Sequence, residues 1–424
     1  MKVKGVTLGC KVNAYETEYI LEKFKEKGYE ITDSKSDIYI INTCSVTNMS
    51  DAKSRKVINK IVRENPQSIV VVMGCMIEAH KDYENEKVSI IIGNKDKSKV
   101  LELVEDYIKT KENKKLLYKD FDLEFEDMFI SNMNSHTRAY VKIQDGCENF
   151  CSYCIIPYTR GRQRSKKKEI VLEEIKALVK NGYQEVVLTG IHTGHYGSDI
   201  ETSFPNLLRE IVKIEGLKRL RISSIEITEL NDDFLSVLKE FKVIVSHLHI
   251  PLQAGSDEVL KNMNRKYLTD YYLDKINTIR KIRPGISITT DIIVGFPGET
   301  EELFKETLDF VKKIEFSKIH VFPYSRREGT KADLMPNQVP DVIKKERVNR
   351  LIDLGLSLEK KYLDSYIGKM VEVLTETNDE NSSTGHTNNY LKVVIDSKVS
   401  SNKLVKVMIT DRVEFALKGH IIGE

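Results

Sequence analysis

The 424-residue sequence has no apolar run of membrane-spanning length; the longest, such as residues 38–41 and 69–73, are far too short. It has almost no charge imbalance. Lys and Arg number 66 against 64 Asp and Glu, a formal net charge of +2, so no global basic field points to nucleic acid. Any such site must be local. The sequence opens on a strand-like VKGVTLG rather than a leader-like segment. The expectation is therefore no signal peptide and a cytoplasmic location. Cysteine is sparse. Six cysteines without secretory context argue for a reducing compartment, and for ligands rather than disulfides. With 40% apolar and 31% charged residues, the class that remains is a soluble, globular chain of two or three domains.

Half of the cysteines stand in one stretch, residues 145–165, DGCENFCSYCIIPYTRGRQRS. Cys147, Cys151 and Cys154 are spaced CxxxCxxC. Three thiolates on a short loop can hold three irons of a cubane cluster and leave the fourth iron open to substrate or cofactor. A structural zinc site wants four ligands, and the loop holds no fourth Cys or His. The stretch resembles the cluster motif of the radical S-adenosylmethionine (SAM) superfamily. That resemblance implies a [4Fe–4S] cluster whose open iron binds SAM, with Tyr153 matching the aromatic residue before the third cysteine.

Residues 1–110 alternate apolar runs (3–8, 38–42, 69–73, 88–92) with helical patterns, the first capped by Asn13 and stopped by Gly28. This predicts a doubly wound α/β domain. Cys10, Cys44 and Cys75 each end one of the first three runs. The carboxyl ends of parallel strands face one crevice, so these distant cysteines converge on one rim. Buried structural cysteines are the alternative for any one of them. For three at the same end of successive strands, a second three-thiolate cluster is the better reading.

With Gly9-Cys10-Lys11-Val12-Asn13, Asn42-Thr43-Cys44 and Gly74-Cys75 added to the central loop, the chain is similar to the radical-SAM methylthiotransferase family over essentially its whole length. The family resemblance implies two [4Fe–4S] clusters, an N-terminal α/β domain, a radical-SAM domain and a small C-terminal RNA-binding TRAM domain. Residues 111–135 read as a charged, solvated connector. Residues 136–362 carry six strand-like runs (139–144, 185–189, 217–223, 246–251, 286–294, 317–322) between helical patterns. Six units fall short of a closed eight-fold barrel, so a partial (β/α)6 barrel is expected.

Sites in such barrels lie at the carboxyl ends of strands. The candidates for SAM contact there are Gly190, Ser223, Ser224, Gln253, Asp291 and Gly295. His192, His195, His247 and His249 invite a metal site, but the two thiolate sets already account for the chemistry. The densest positive charge follows the cluster loop, with Arg160, Arg162 and Arg164 before Lys166, Lys167 and Lys168. Cations at a helix start oppose its dipole, which points to a partner such as phosphate. Arg326 and Arg327, after the sixth run, are candidates for a substrate carboxylate. Residues 363–424 form strand-like runs (370–374, 390–395, 404–409, 413–421) separated by turn-rich DENSSTGHTNN and DSKVSSN, and predict a small antiparallel β-barrel. This region has seven Lys and Arg against nine Asp and Glu, so RNA contact there would need a patch such as Lys392, Lys398, Lys403 and Lys406.

By resemblance, one SAM methylates sulfur held at the Cys10–Cys44–Cys75 cluster. A second is cleaved at the other cluster to a radical that activates a C–H bond, with flavodoxin or ferredoxin as reductant. TLGCKVNAYETE, NTCSVTN and RISSIE look most like the branch that acts on threonylcarbamoyladenosine (t6A) in the tRNA anticodon loop. Isopentenyl-adenosine in tRNA and ribosomal protein S12 are the alternatives within the family. Outside it stand a radical-SAM enzyme whose second cluster only carries electrons, and a non-catalytic iron–sulfur RNA-binding protein.

Overall fold

A computed structural model of the chain describes residues 1–118, 124–133 and 137–422. By packing, the chain divides into two units that interleave in sequence. The first holds residues 1–181, 188–203 and 325–334, and the second 182–187, 204–324 and the chain from 335 onward.

The first unit begins with a six-stranded parallel sheet. Its strands are β1 (Lys2–Thr7), β2 (Glu30–Ile31), β3 (Ile38–Thr43), β4 (Ile69–Gly74), β5 (Ile90–Ile92) and β6 (Lys114–Leu116), ordered β2-β1-β3-β4-β5-β6. The central strands β3 and β4 are buried at every position, which is why they read as unbroken aliphatic runs rather than alternating ones. Helices α1 (Lys11–Glu26) and α4 (Val100–Thr110) belong to one face, packing Ile20, Phe24 and Val104 with Val3, Ile38 and Ile40. Helices α2 (Asn48–Glu64) and α3 (Cys75–Ala79) cover the other, packing Ile58, Val62 and Met76 with Ile41, Val70 and Val72. The strand order reverses between β1 and β3, so the switch point where such sheets bind ligands lies at their carboxyl ends.

Two expectations change here. Asn13 does not cap α1; the helix starts at Lys11, with Cys10 in the capping position, and the Asn13 side chain turns inward to the backbone. The stretch read as a solvated connector contributes β6, and Met128, Ile130 and Met133 are buried. Three apolar residues among many charges are too few to show a period, although they anchor the segment. Residues 119–123 and 134–135 of that expected connector lie outside the described residues.

The rest of the first unit carries β7 (Ala139–Lys142), β8 (Gln144–Asp145), α5 (Ile156–Arg160), β9 (Arg164–Ser165) and α6 (Lys168–Lys180). Strand β10 (Glu185–Thr189) passes from the second unit back into the first at Leu188.

The second unit continues the β/α alternation with α7 (Phe204–Ile211), β11 (Arg219–Ile222), α8 (Asp232–Glu240), β12 (His247–His249), α9 (Asp257–Asn262), α10 (Thr269–Ile282), β13 (Ser287–Val294), α11 (Glu301–Ile314) and β14 (Lys318–Pro323). Strands β12, β13 and β14 pair in parallel, with Leu248 beside Ile288 and Thr290 beside Ile319. All six expected barrel strands are present. Helix α12 (Asp341–Asp364) was not expected. Its buried positions are Arg347, Leu351, Gly355 and Leu363, a weak apolar stripe that periodicity does not reveal.

The chain ends in a closed barrel of β15 (Met370–Asn378), β16 (Ser383–Thr387), β17 (Lys392–Ile395), β18 (Leu404–Val413) and β19 (Ala416–Ile421), ordered β15-β16-β17-β19-β18. It is mixed rather than wholly antiparallel, because β17 and β19 run parallel. Strand β16 lies where the sequence suggested a turn. Ser383, Gly385 and Thr387 face inward, and a Cβ on Gly385 would stand 2.2 Å from the Leu374 carbonyl oxygen. A strand pressed that closely against its neighbour needs small residues, and small residues look like turn chemistry.

Candidate active site

Cys10 directly precedes α1, Cys44 directly follows β3, and Cys75 opens α3 directly after β4. Cys10 is exposed, whereas Cys44 and Cys75 are buried. Glycine allows the close approach. Gly9 has φ +98°, and a Cβ there would stand 2.8 Å from the Cys44 sulfur. Gly74 has φ +105°, and a Cβ would meet the Thr43 carbonyl at 2.7 Å. Only glycine takes both the left-handed backbone and the contact. Burial first, then the charges of Cys75 and Cys10, push the Cys44 thiol above its ordinary value, against a hydrogen bond from the Val46 backbone. A bound cation would act in the opposite direction and favour the thiolate.

Asn13 and Asn42 tie these strand ends together. The Asn13 amide donates to the carbonyls of Leu8 (2.7 Å) and Thr43 (3.0 Å), and the Asn42 amide to the Asn13 carbonyl (3.1 Å). The Thr43 hydroxyl donates to the Met73 carbonyl at 2.7 Å.

The second cysteine set, Cys147, Cys151 and Cys154, is half-buried. A tight turn joins two of them, the Cys154 N–H donating to the Cys151 carbonyl at 3.0 Å. The Cys147 N–H donates to Gly161 at 3.1 Å, which closes the loop on itself. Tyr153 is half-buried between these cysteines. The turn after β10 leans on the same loop. A Cβ on Gly190 would stand 3.1 Å from the Gln144 side chain, and Gln144 Oε1 accepts the His192 N–H at 2.7 Å. The His192 ring lies 3.8 Å from the Cys147 sulfur and stacks on His195 at 4.0 Å between centroids.

The two sets are joined inside this unit by buried polar residues: Arg160, Arg164 and Asn13, expected in other roles, and Glu16, Lys97, Lys142 and Asp145, which the sequence does not single out. Arg160 is 0% exposed. Its Nη1 pairs with Glu16 at 2.9 Å and with Asp145 at 3.1 Å, and its Nη2 donates to Asn13 at 2.7 Å. Lys97 (2.5 Å) and Lys142 (2.9 Å) also pair with Glu16, and Lys142 (2.6 Å) and Arg164 (3.3 Å) with Asp145. Burial disfavours the Arg160 charge, but Glu16 and Asp145, with Cys75 and Cys10, more than offset it and push its pKa above an already high ordinary value. The one available signal was a polar residue in each element beside a cysteine, which local sequence does not distinguish from surface chemistry.

Arg160 and Arg164, expected at a phosphate backbone, are therefore internal. A fully buried guanidinium held by two carboxylates has no face for an RNA strand. Lys166 is likewise buried, paired with Glu174 at 2.5 Å. Arg162 alone of the three arginines is exposed. Arg327 is buried too, its Nη atoms donating to Asp51 (2.7 Å), Asn48 (2.8 Å) and Ser45 (2.6 Å). Arg326 is exposed and pairs with Asp333 at 2.6 Å.

The remaining candidates belong to the second unit. Ser223 and Ser224 follow β11 and are half-buried. Gln253 has φ +69°, and its backbone pairs with β13 at Ile292. Asp291, on β13, lies 3.2 Å from His249 Nε2. Gly295 turns the chain at φ +72° and donates its N–H to the buried Glu299 carboxylate at 2.8 Å. In the terminal barrel, Lys392, Lys398, Lys403 and Lys406 are all exposed. Among the described residues, no helix is long and apolar enough to cross a membrane.

A CxxxCxxC loop set into a β/α strand series defines a radical-SAM protein, and residues 141–311 match the family description "Radical SAM superfamily". Residues 2–93 match "Uncharacterized protein family UPF0004". The chain is 44% identical to the Bacillus subtilis (strain 168) protein named threonylcarbamoyladenosine tRNA methylthiotransferase MtaB, covering 95% of this chain and 92% of that one. It is 37% identical to the Aquifex aeolicus (strain VF5) protein of the same name, over 96% and 100%. It is also 36% identical to an Acetivibrio thermocellus protein named tRNA-2-methylthio-N(6)-dimethylallyladenosine synthase, over 98% and 90%. The chain belongs to the radical-SAM methylthiotransferase family. Its fold is shared at TM-score 0.56 and 14% identity with the radical SAM methyltransferase TsrM of Kitasatospora setae, over 76% of this chain and 72% of that one. Membership of the superfamily implies SAM and a [4Fe–4S] cluster.

Proposed function

We propose that this chain adds a methylthio group to C2 of N6-threonylcarbamoyladenosine at position 37 of tRNA, in the cytoplasm, using SAM and two [4Fe–4S] clusters. The observation that carries the reading is the placement of both three-cysteine sets in one packing unit, joined through Arg160 and the Asn13 side chain. Full-length similarity to proteins named for this substrate supports the choice of nucleoside. The donor sets fit their groups. Three thiols on one loop, and three at adjacent strand ends, present soft sulfur ligands without a fourth, and a buried excess of positive charge beside them calls for an anionic partner.

When bound, these groups supply one-electron cleavage of SAM and transferable sulfur, chemistry for which no side chain here could substitute. The protein supplies position. Cys147, Cys151 and Cys154 would hold one cluster, Gln144 fixes the turn carrying Gly190 and His192, and Tyr153 is the aromatic residue between the second and third cysteines. Cys10, Cys44 and Cys75 would hold the other on strand ends that Asn13 and Asn42 lock together. Ser223, Ser224, Gln253, Asp291 and Gly295 are the SAM-contact candidates at the strand ends of the second unit. The tRNA would be met by exposed cations, Arg162 and the terminal-barrel lysines, with Arg326 for the substrate carboxylate. A flavodoxin or ferredoxin would deliver the electron.

The test is mass spectrometry of tRNA nucleosides from cells with and without the gene. Loss of 2-methylthio-t6A with t6A retained is the expected result. The relatives named for dimethylallyladenosine favour a second reading, in which the isopentenyl derivative loses its methylthio group instead.

A further inference from the structure

We infer that Arg160 is an internal counter-charge shared by the two cysteine sets, and that it raises the reduction potentials of the clusters they hold. The inference rests on the two-cluster reading above. Around Arg160, four cations (Lys97, Lys142, Arg160, Arg164) meet two carboxylates, Glu16 and Asp145. All six residues are buried. Among the described residues this cluster carries an excess of two positive charges, and such an excess in a protein interior favours further anions beside it. A [4Fe–4S] cluster held by three thiolates carries about one negative charge in its oxidised form, and two of them match the excess.

The connectivity agrees. Arg160 ends α5, the short helix that follows Cys154. Glu16 lies on the helix that follows Cys10, and Asp145 just precedes Cys147. Arg160 thus binds one carboxylate from each cysteine-bearing element. Asn13 Oδ1 accepts from Arg160 Nη2 at 2.7 Å and lies 3.9 Å from the Cys10 sulfur. Arg160 Nε is buried and has no hydrogen-bond partner among the described residues, which leaves one N–H donor for a cluster sulfur. Nearby positive charge and N–H···S bonds both favour the reduced cluster. Arg160 touches no reacting carbon; it acts through the clusters as an electrostatic and positioning residue.

The experiment is an EPR-monitored redox titration of anaerobically prepared holoenzyme, with iron counted first, in wild type, Arg160→Gln, Arg160→Lys and Glu16→Gln. Arg160→Gln is expected to lower the midpoint potentials. Arg160→Lys keeps the charge but loses Nε–H, and should lower them less. Glu16→Gln enlarges the positive excess and should raise them, a reversal that simple loosening of a structural cross-link does not produce. Unmoved potentials, or shifts of one sign in Arg160→Gln and Glu16→Gln, overturn the inference. If Arg160→Gln fails to assemble its clusters, Glu16→Gln decides alone: a rise supports the inference and anything else overturns it. About four irons per wild-type chain, rather than about eight, sinks the two-cluster reading and the inference with it. About eight with unmoved potentials sinks the inference alone.

Discussion

The side-chain amide of Asn94 donates to the carbonyl of Thr159 across 2.7 Å. The same amide lies 3.5 Å from the Cys75 sulfur, so one buried asparagine links Cys75 to α5, the helix that follows the other cysteine set. Asn94→Ala leaves the Thr159 carbonyl without this donor, a loss of about 1–3 kcal/mol for a buried group. Thermal unfolding should register the loss. Iron bound per chain should fall as well, because Cys75 loses the amide beside its sulfur. Unchanged melting and unchanged iron would show that Asn94 is a passive neighbour.

The two cysteine sets should separate by function. Replacing Cys147, Cys151 and Cys154 with Ala should abolish reductive SAM cleavage. Replacing Cys10, Cys44 and Cys75 should preserve cleavage and abolish methylthio transfer. In each case about half of about eight irons should be lost. The readouts are 5′-deoxyadenosine and methylthio-nucleoside, quantified on one sample. Loss of cleavage in both variants would contradict the division of labour.

The Glu16 and Asp145 carboxylates give a pH signature. Burial acts to raise both, but Arg160, Lys142 and Lys97 around Glu16, and Lys142, Arg160 and Arg164 around Asp145, overcome it and hold them below the ordinary carboxylate range. Folded values lie below unfolded ones, so the stabilisation is full above about pH 4.3 and is lost as pH falls toward the folded values. Glu16→Gln should cost about 3–5 kcal/mol at pH 7, the usual result of removing one partner of a buried pair. The gap from wild type should narrow below about pH 4. Urea unfolding of the metal-free chains between pH 3 and 7 measures it. A gap that stays constant with pH would rule out the carboxylate as its source.

Arg162 is the exposed arginine of the basic run, at 75% side-chain exposure. Arg162→Ala should weaken tRNA binding several-fold and reduce the salt slope of log K by about 1, as expected for one lost phosphate contact. Filter binding across a salt series provides the measurement. An unchanged slope would remove Arg162 from the RNA surface.

Much of the molecule was legible in the linear sequence. Unbroken aliphatic runs at 38–43 and 69–74 announced strands buried on both faces, and cysteines at their ends announced a shared rim. The CxxxCxxC spacing is itself local geometry, so it carried the cluster loop without any fold. Helix α12 and strand β16 were hidden for the opposite reason: one has too weak an apolar stripe, and the other is made of small residues demanded by a neighbouring strand.

Composition, periodicity and spacing determined the α/β architecture and the six thiols, because each depends on residues close together in the chain. Only the tertiary structure decided which charges are internal. Arg160, Arg162 and Arg164 are alike in sequence, and alternate residues of one basic run. Arg160 is sealed in by Glu16, 144 positions away, while Arg162 stands in solvent. A cation's role follows from its desolvation and its counter-charge, and both are set by residues that the chain brings together only on folding.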